Sequence, residues 1–352
     1  MGAYQPQPQP RQYWLLTYPR TSSNLLVKIL GLDEQPNIMQ GHLQAGYYFL
    51  PLLKLMNGLN LLGRGVQEWT ENERKQMKEC YQSCFNTLNQ HLEDAKKKNC
   101  SFFVKEHCNL MAHPVAITKE LSGVTVDEAP WMVDFPKIFG QLPTRSTTNE
   151  TVLPDGFLRQ WSPTFLIRHP ALAFPSCYRA SMDLNKADGD AIDGNRGTLG
   201  MTLRWSRLLY EWYSENLTAQ EAFIDGDATW PLVLDGDDVM TNQDIALRFG
   251  EILQLDMKKM RFSWEPVPEK EQAEMDMRLK RFLSTLLGSE GIVKGKTAEN
   301  LDIEIEAKKW QKEFGEKVAI RLEELVRAAM PDYEFLYARK LKAKNTSSPL
   351  AV

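Results

Sequence analysis

The sequence predicts an α/β fold with a mainly parallel central sheet flanked by helices. Two observations predict it. Short apolar runs alternate along the chain with amphipathic stretches of helical period. The runs also stop at charged or imidazole-bearing residues, as expected where a parallel sheet presents the carboxyl ends of its strands to a ligand. With 352 residues, 43% hydrophobic and 25% charged, the chain can bury a large core. We divide it into a polar, proline-rich tail over 1–11, a single α/β domain over 12–340 and a flexible tail over 341–352.

The tail carries QPQPQP, which favours extended, solvated backbone. Tyr13 to Tyr18 then reads as a buried strand and Asn24 to Leu32 as a helix, so the residues between them form a strand-to-helix loop. Thr70 and Glu73 make a capping box that opens a long amphipathic helix, with Met77, Tyr81, Cys84, Leu88, Leu92 and Ala95 on one face and Lys96 to Lys98 at its carboxyl end. Phe102 to Lys105 and Thr164 to Ile167 read as the second and third strands. Between them Cys108 to Pro163, broken by prolines and the polar run TRSTTNET, reads as loops and short helices.

Asp183 to Gly197 reads as a loop; its acidic spacing is wrong for a calcium loop, since Gly194 stands where a Glu is required. Leu199 to Asn216 is a predicted helix, Pro231 to Leu234 a strand ending at Asp235, and Thr241 with Asp244 the start of another helix. Asp302 to Met330 reads as one long helix with Trp310, Phe314, Val318, Leu322 and Leu325 as its stripe, terminated by Pro331.

A net charge of -4 argues against a surface built for nucleic acid or acidic lipid, so an anionic ligand requires a local cluster of cations. The opening lacks a secretory pattern and no apolar run reaches membrane-spanning length, which makes a cytoplasmic protein the expectation. The five cysteines are too sparse for a disulfide framework and not in zinc-ligand spacing; they read as reduced thiols, and no metal site is expected.

Three segments carry chemistry. The first, TYPRTSSNLL, turns from strand to helix and so aims backbone N–H groups and the positive helix end at one point. Arg20 adds a forked cation there, and Thr21, Ser22, Ser23 and Asn24 add neutral hydrogen-bonding groups. An ordinary turn with a helix cap would use similar residues. The second, SFFVKEHCN, puts Lys105 and His107 two apart at a strand end, hence on one face. The third, FLIRHPALAFPSCYR, ends a strand at Arg168 and carries Ser176 on the following helix, where both can reach one phosphate.

Together, and in this order, these segments resemble the sulfotransferase family, in a divergent, fungal-type form. TYPRTSSNLL is similar to the family's 5′-phosphosulfate loop, TYPKSGTTW, with Arg20 for Lys, Ser22 for Gly and Leu25 for Trp. Lys105 and His107 match its K-[TS]-H segment, and Arg168, Pro170, Ser176 and Tyr178 match its 3′-phosphate motif, RNPxDxxVSxY, with Leu172 in place of Asp. A fourth element, RKGxxGDW, has no clean copy; Lys294 and Lys296 in GIVKGKTAENLD are the nearest substitutes.

The resemblance implies a P-loop nucleotide-binding type of fold and the donor 3′-phosphoadenosine-5′-phosphosulfate (PAPS), released as PAP. It implies His107 as general base, Lys105 and Arg20 beside the leaving phosphate, and Arg20 through Asn24, Arg168 and Ser176, with Lys294 and Lys296, holding the nucleotide. The acceptor would be a small-molecule alcohol or phenol, and whether the chain forms a homodimer is not readable. His42, Tyr47, Tyr48 and Phe49, or Trp131 and Phe135, could line an aromatic acceptor pocket, although such residues are more often core. Two other readings stay open: a kinase or hydrolase using Asp235 as a magnesium-binding strand end, and a protein that keeps the fold for another ligand.

Overall fold

A computed structural model of the chain describes residues 10–123, 126–135, 143–184 and 194–344. Five strands form one sheet: β1 (Gln12–Thr17), β2 (Ile38–Gln40), β3 (Ser101–His107), β4 (Trp161–Ile167) and β5 (Leu232–Asp235), in the order β2-β3-β1-β4-β5. Every pairing in it is parallel. The α/β architecture expected from the sequence is therefore the one observed.

Strand β1 explains how the sheet is held. Its alternate residues face opposite layers: Tyr13 and Leu15 pack with Leu26, Ile29 and Leu30, whereas Trp14 and Leu16 pack with Phe102, Val104 and Phe157. All four β1 residues are essentially inaccessible, so a register slip by one residue would exchange the two layers. Trp14 lies 4.6 Å, centroid to centroid, from Trp161 on β4.

Helix α1 (Ser23–Leu30) follows β1 directly. The long helix α2 (Glu71–Lys97) begins at the expected capping box, with Thr70 accepting from the Glu73 N–H and Glu73 accepting from the Thr70 N–H. Helix α3 (Pro170–Leu184) follows β4 and carries Ser176, and α4 (Arg204–Asn216) packs near the carboxyl ends of β3 and β4.

Several expected boundaries move. Asp183 and Leu184 close α3, residues 194–200 form a further helix, and 185–193 lie outside the described residues. The helix expected to begin at Leu199 starts at Arg204 instead. The stretch 108–163 contains short helices at Cys108–Met111, Pro114–Ser122 and Asp155–Leu158, and β4 already begins at Trp161. After β5, Asp235 caps α5 (Gly236–Thr241) and Asn242 caps α6 (Gln243–Ile252); the Thr241 hydroxyl donates to the Asp237 carbonyl rather than capping. Helix α7 (Met277–Leu287) packs on α3 and α1.

The single helix expected over Asp302 to Met330 is two, α8 (Ile303–Phe314) and α9 (Glu316–Tyr337). They fold back on one another, Arg327 of α9 lying 3.9 Å from Glu304 of α8. Gly315 makes the break, with φ 87°, a backbone state only glycine enters without strain. Pro331 does not end α9. The turn beyond it buries Tyr333 and Leu336, and that burial offsets the backbone bond a helical proline removes.

Leu341, within the stretch expected to be a tail, is buried, and its N–H donates to Val233 of β5. The five cysteines are all unpaired. Among the described residues no helix is long and apolar enough to cross a membrane.

Replacing Gly315 by Ala should leave the space around it unclashed, since nothing lies within 4 Å of a Cβ there, yet should destabilise the protein by about 1–2 kcal/mol through backbone strain alone. The midpoint of urea unfolding measures this, and an unchanged midpoint would show that the break between α8 and α9 does not depend on glycine.

Candidate active site

The register of the sheet sets the site. Thr17 of β1 is paired with His107 of β3, Thr17 also with Leu166 of β4, and Ile167 with Asp235 of β5, so the loops after four strands leave from one edge. The loop after β1 runs through Tyr18, Pro19, Arg20, Thr21 and Ser22 into α1. Arg20 and Ser22 both adopt left-handed backbone, at φ 69° and 68°. Ser22 stands where the related loop pattern has glycine, and this φ is the reason glycine is common there. Its carbonyl accepts from the Leu26 N–H, opening the helix, while its hydroxyl points to Met240. Thr21 is fully buried and its hydroxyl donates to the Tyr18 carbonyl at 2.9 Å, which stiffens the turn.

Two clusters meet at this loop. In the first, Arg20 Nε donates to Ser176 Oγ at 3.0 Å and Arg20 Nη1 to the Phe282 carbonyl at 2.8 Å. Arg168 Nη1 donates to the Arg20 carbonyl at 3.3 Å, which joins the third sequence segment to the first. Burial lowers the Arg20 pKa below its ordinary value, and the nearby Arg281 and Arg168 lower it further. Burial likewise lowers Arg168, with Asp237 opposing. Arginine does not lose its proton in proteins, so these shifts mark positive charge that is crowded and partly desolvated. Asp237, 3.6 Å from Arg168 Nε, is the available counter-charge, and neither of those two atoms has a hydrogen-bond partner.

The second cluster surrounds the end of β3. Lys105 is fully buried, its ammonium donates to Asn24 Oδ1 at the start of α1, and it lies 4.5 Å from the centre of the Tyr47 ring. Burial lowers its pKa to about 7, with Glu106 opposing. Glu106 is itself pushed up to about 7 by burial, and its two oxygens accept from the N–H groups of His107 and Phe49. His107 Nδ1 and Thr17 Oγ1 are 2.7 Å apart. The single proton of Thr17 also has the Glu106 carbonyl within reach, 3.2 Å away. With the Thr17 proton on the Glu106 carbonyl, a hydrogen on His107 Nδ1 satisfies both contacts and Nε2 is the proton acceptor; with that proton directed at Nδ1, the roles of the two ring nitrogens are exchanged. Burial, then Lys105, pushes the His107 pKa down to about 3, so the imidazole is neutral near pH 7.

Of the residues singled out in the sequence, Arg20, Thr21, Ser22, Ser23, Asn24, Lys105, His107, Arg168 and Ser176 thus gather at one sheet edge. Lys294 and Lys296 arrive differently. Their loop lies against the site, since Arg168 Nη2 donates to the Lys296 carbonyl at 2.5 Å and the Ala298 N–H donates to Asp237, but both lysine side chains are exposed. Of the aromatic candidates, Tyr47 borders this cluster, its ring 4.9 Å from that of His107. Tyr48, Phe49 and Trp131 are core residues, and Phe135 packs edge-on against Phe85 and Phe157. Asp235 has both oxygens engaged, one by the Asp237 N–H and one by the Tyr333 hydroxyl, and so caps the helix that follows β5.

Thr17, Glu106, Arg281 and the Phe282 carbonyl were not among the sequence candidates. Thr17 could have been found, because it sits in the matched loop segment and ends its strand as His107 ends the neighbouring one. Arg281 and Phe282 lie on α7, more than a hundred residues from Ser176, with no motif around them.

A parallel sheet whose first strand turns directly into a helix at its carboxyl edge is the architecture of nucleotide-binding α/β proteins of the P-loop type. Comparison with known proteins narrows this. The chain is 39% identical over 336 residues to a protein named Sulfotransferase ppzF from Metarhizium rileyi, covering 95% of this chain and 97% of that one. It is 38% identical over 338 residues to the protein of the same name from Metarhizium majus, covering 95% and 98%. The chain belongs to the sulfotransferase family. No family profile matches it, and no solved structure does.

The buried neutral histidines give a pH prediction. His107 and His113, the latter accepting the Ala116 N–H as a helix cap, are both pushed by burial from 6.5 to about 3. The unfolded chain takes up these protons near pH 6.5 and the folded one does not, so their contribution is present above pH 6.5 and is lost as pH falls toward 3. Glu106 and Asp235, raised by burial, act in the opposite sense over this range, so the prediction is a difference between variants: the urea midpoint of His113→Asn, which keeps a cap acceptor, should gain on that of wild type as pH falls from 6.5 to 4, by about one proton in slope. A slope identical to wild type would mean that His113 is not held neutral.

Proposed function

We propose that the protein transfers a sulfonate group from PAPS to a hydroxyl of a small-molecule alcohol or phenol, with His107 as general base. The observation that carries this reading is the meeting, at one loop, of the Arg20–Ser176–Arg168 cluster with the Lys105–His107 pair. An arginine pair on one side of the loop and Lys105 on the other suit a nucleotide phosphorylated at two ends, with a base beside one of them.

In this reading the acceptor oxygen attacks sulfur as the bond between sulfur and the bridging phosphate oxygen breaks. The acceptor proton goes to His107 Nε2, and the electron pair leaves on the 5′-phosphate of PAP. Lys105 and Arg20 offset the charge that develops on that phosphate, and the N–H groups of the loop with Ser23 and Asn24 orient it. A base with a pKa near 3 is weak, but the bound polyanion would counter the Lys105 charge that helps to depress it and so raise His107 toward working pH. Donor binding would thus prepare the base.

Arg168 and Ser176 would hold the 3′-phosphate, with Arg281 of α7 supplying charge for which the fourth family segment is missing. Arg281 is coupled electrostatically to Arg20, and its partner Asp183 is about half exposed, so a phosphate could compete for it.

His107→Ala should abolish sulfonation while leaving PAP affinity, measured by calorimetry, within about threefold of wild type. Turnover at the wild-type rate would remove His107 from the mechanism. For the nucleotide site, Arg168→Ala and Arg281→Ala should each weaken PAP binding by about 10-fold or more and flatten its salt dependence, whereas Lys294→Ala with Lys296→Ala should change it little. If wild type binds neither PAPS nor PAP, the fold serves another ligand.

A further inference from the structure

Tyr47 is held in an unusual way. Its backbone φ is 63°, a left-handed state that a bulky side chain occupies only when its surroundings impose it. The surroundings are the end of β3. Gly46 bridges to Lys105, and a Cβ on Gly46 would lie only 1.6 Å from the Lys105 carbonyl oxygen, so glycine is required for the approach. The Tyr47 N–H donates to that same carbonyl at 2.8 Å, and the Phe49 N–H donates to Glu106. Residues 46–49 are therefore stitched to Lys105 and Glu106 at successive points, and the strain at Tyr47 is the cost of presenting its side chain there.

That side chain touches three parts of the site. The ring lies 4.5 Å from the Lys105 ammonium and 4.9 Å from the His107 ring. The hydroxyl faces Ser23, the first residue of α1, whose side chain lowers its pKa against the burial that raises it. Lys105 has Asn24 as its hydrogen-bond partner, and otherwise the aromatic face stands in for the water that burial has removed.

We propose that Tyr47 is a positioning residue of the transfer site, its ring carrying the Lys105 ammonium and walling the His107 imidazole while its hydroxyl faces Ser23 of the anion loop. The role deepens the sulfonate-transfer reading and rests on it, although its first test does not. The titratable and charged groups around Lys105 are Glu106 and His107 on its own strand, Tyr47 from the stitched segment and Arg20 from the loop, so a change confined to the ring can be read against a constant background.

The experiment uses the full chain as wild type, Tyr47→Phe and Tyr47→Leu, each checked for folding by circular dichroism. In ligand-free protein labelled with 13C at lysine Cε, the Lys105 signal, assigned by its loss in Lys105→Arg, is titrated by NMR. Tyr47→Phe keeps the ring and should leave the titration in place; Tyr47→Leu should move it down by about one pH unit. Calorimetry with PAP then reads the hydroxyl: Tyr47→Phe should weaken binding by about fivefold through the loosened Ser23 contact. An unmoved Lys105 titration in Tyr47→Leu, or wild-type PAP affinity in Tyr47→Phe, overturns the proposal. Wild-type protein that fails to bind PAP overturns the donor reading instead, while the lysine titration still decides what the Tyr47 ring does.

Discussion

The pairing of β1 between β3 and β4 is the constraint on which the rest of the site depends, because it brings Thr17, His107 and the end of β4 to one edge of the sheet. Neither face of β1 can shift without exchanging buried layers, Tyr13 and Leu15 on one side for Trp14 and Leu16 on the other. The hydrogen bond between His107 Nδ1 and the Thr17 hydroxyl follows from that register. Packing far from the chemistry thus fixes which nitrogen is engaged within the protein and leaves the other turned to the site.

The second organising feature is charge that the fold does not neutralise. Arg20, Arg168 and Lys105 are each lowered in pKa chiefly by burial, and their internal partners are a hydroxyl, carbonyls, an amide oxygen and one imperfectly aligned carboxylate. Lys105 is wholly shielded from water, and the two arginines are largely so. In the proposed reading, a polyanion entering such a site would recover the interactions that burial removed. The chain as a whole carries a net charge of -4, and this cluster stands against that background rather than arising from it.

Much of this was legible in the sequence, for identifiable reasons. Strands with apolar residues in unbroken runs, the Thr70 and Glu73 box, and the loop between Tyr18 and Asn24 are local patterns, encoded within about one or two helical turns. The boundaries that moved are those where tertiary burial overrode a local signal. Pro331 reads as a helix end, yet Tyr333 and Leu336 carry α9 past it into the core; Thr241 reads as a cap, yet Asn242 caps α6. Lys294 and Lys296 read as ligand cations; their loop lies against the site through a main-chain carbonyl on Arg168, with both side chains exposed.

By itself the sequence determined the fold class, the order of the three chemical segments and the residues that face one another at the sheet edge, because strand alternation and the strand-to-helix turn are properties of neighbouring residues. Only the tertiary structure decided that Arg20 is anchored by Ser176 and by Phe282 of α7, that Asp235 is a structural cap, and that Tyr47 rather than its aromatic neighbours borders Lys105 and His107. Those contacts join residues tens to hundreds of positions apart, and a side chain's partner at such separations is set by how whole elements pack, which no local pattern encodes.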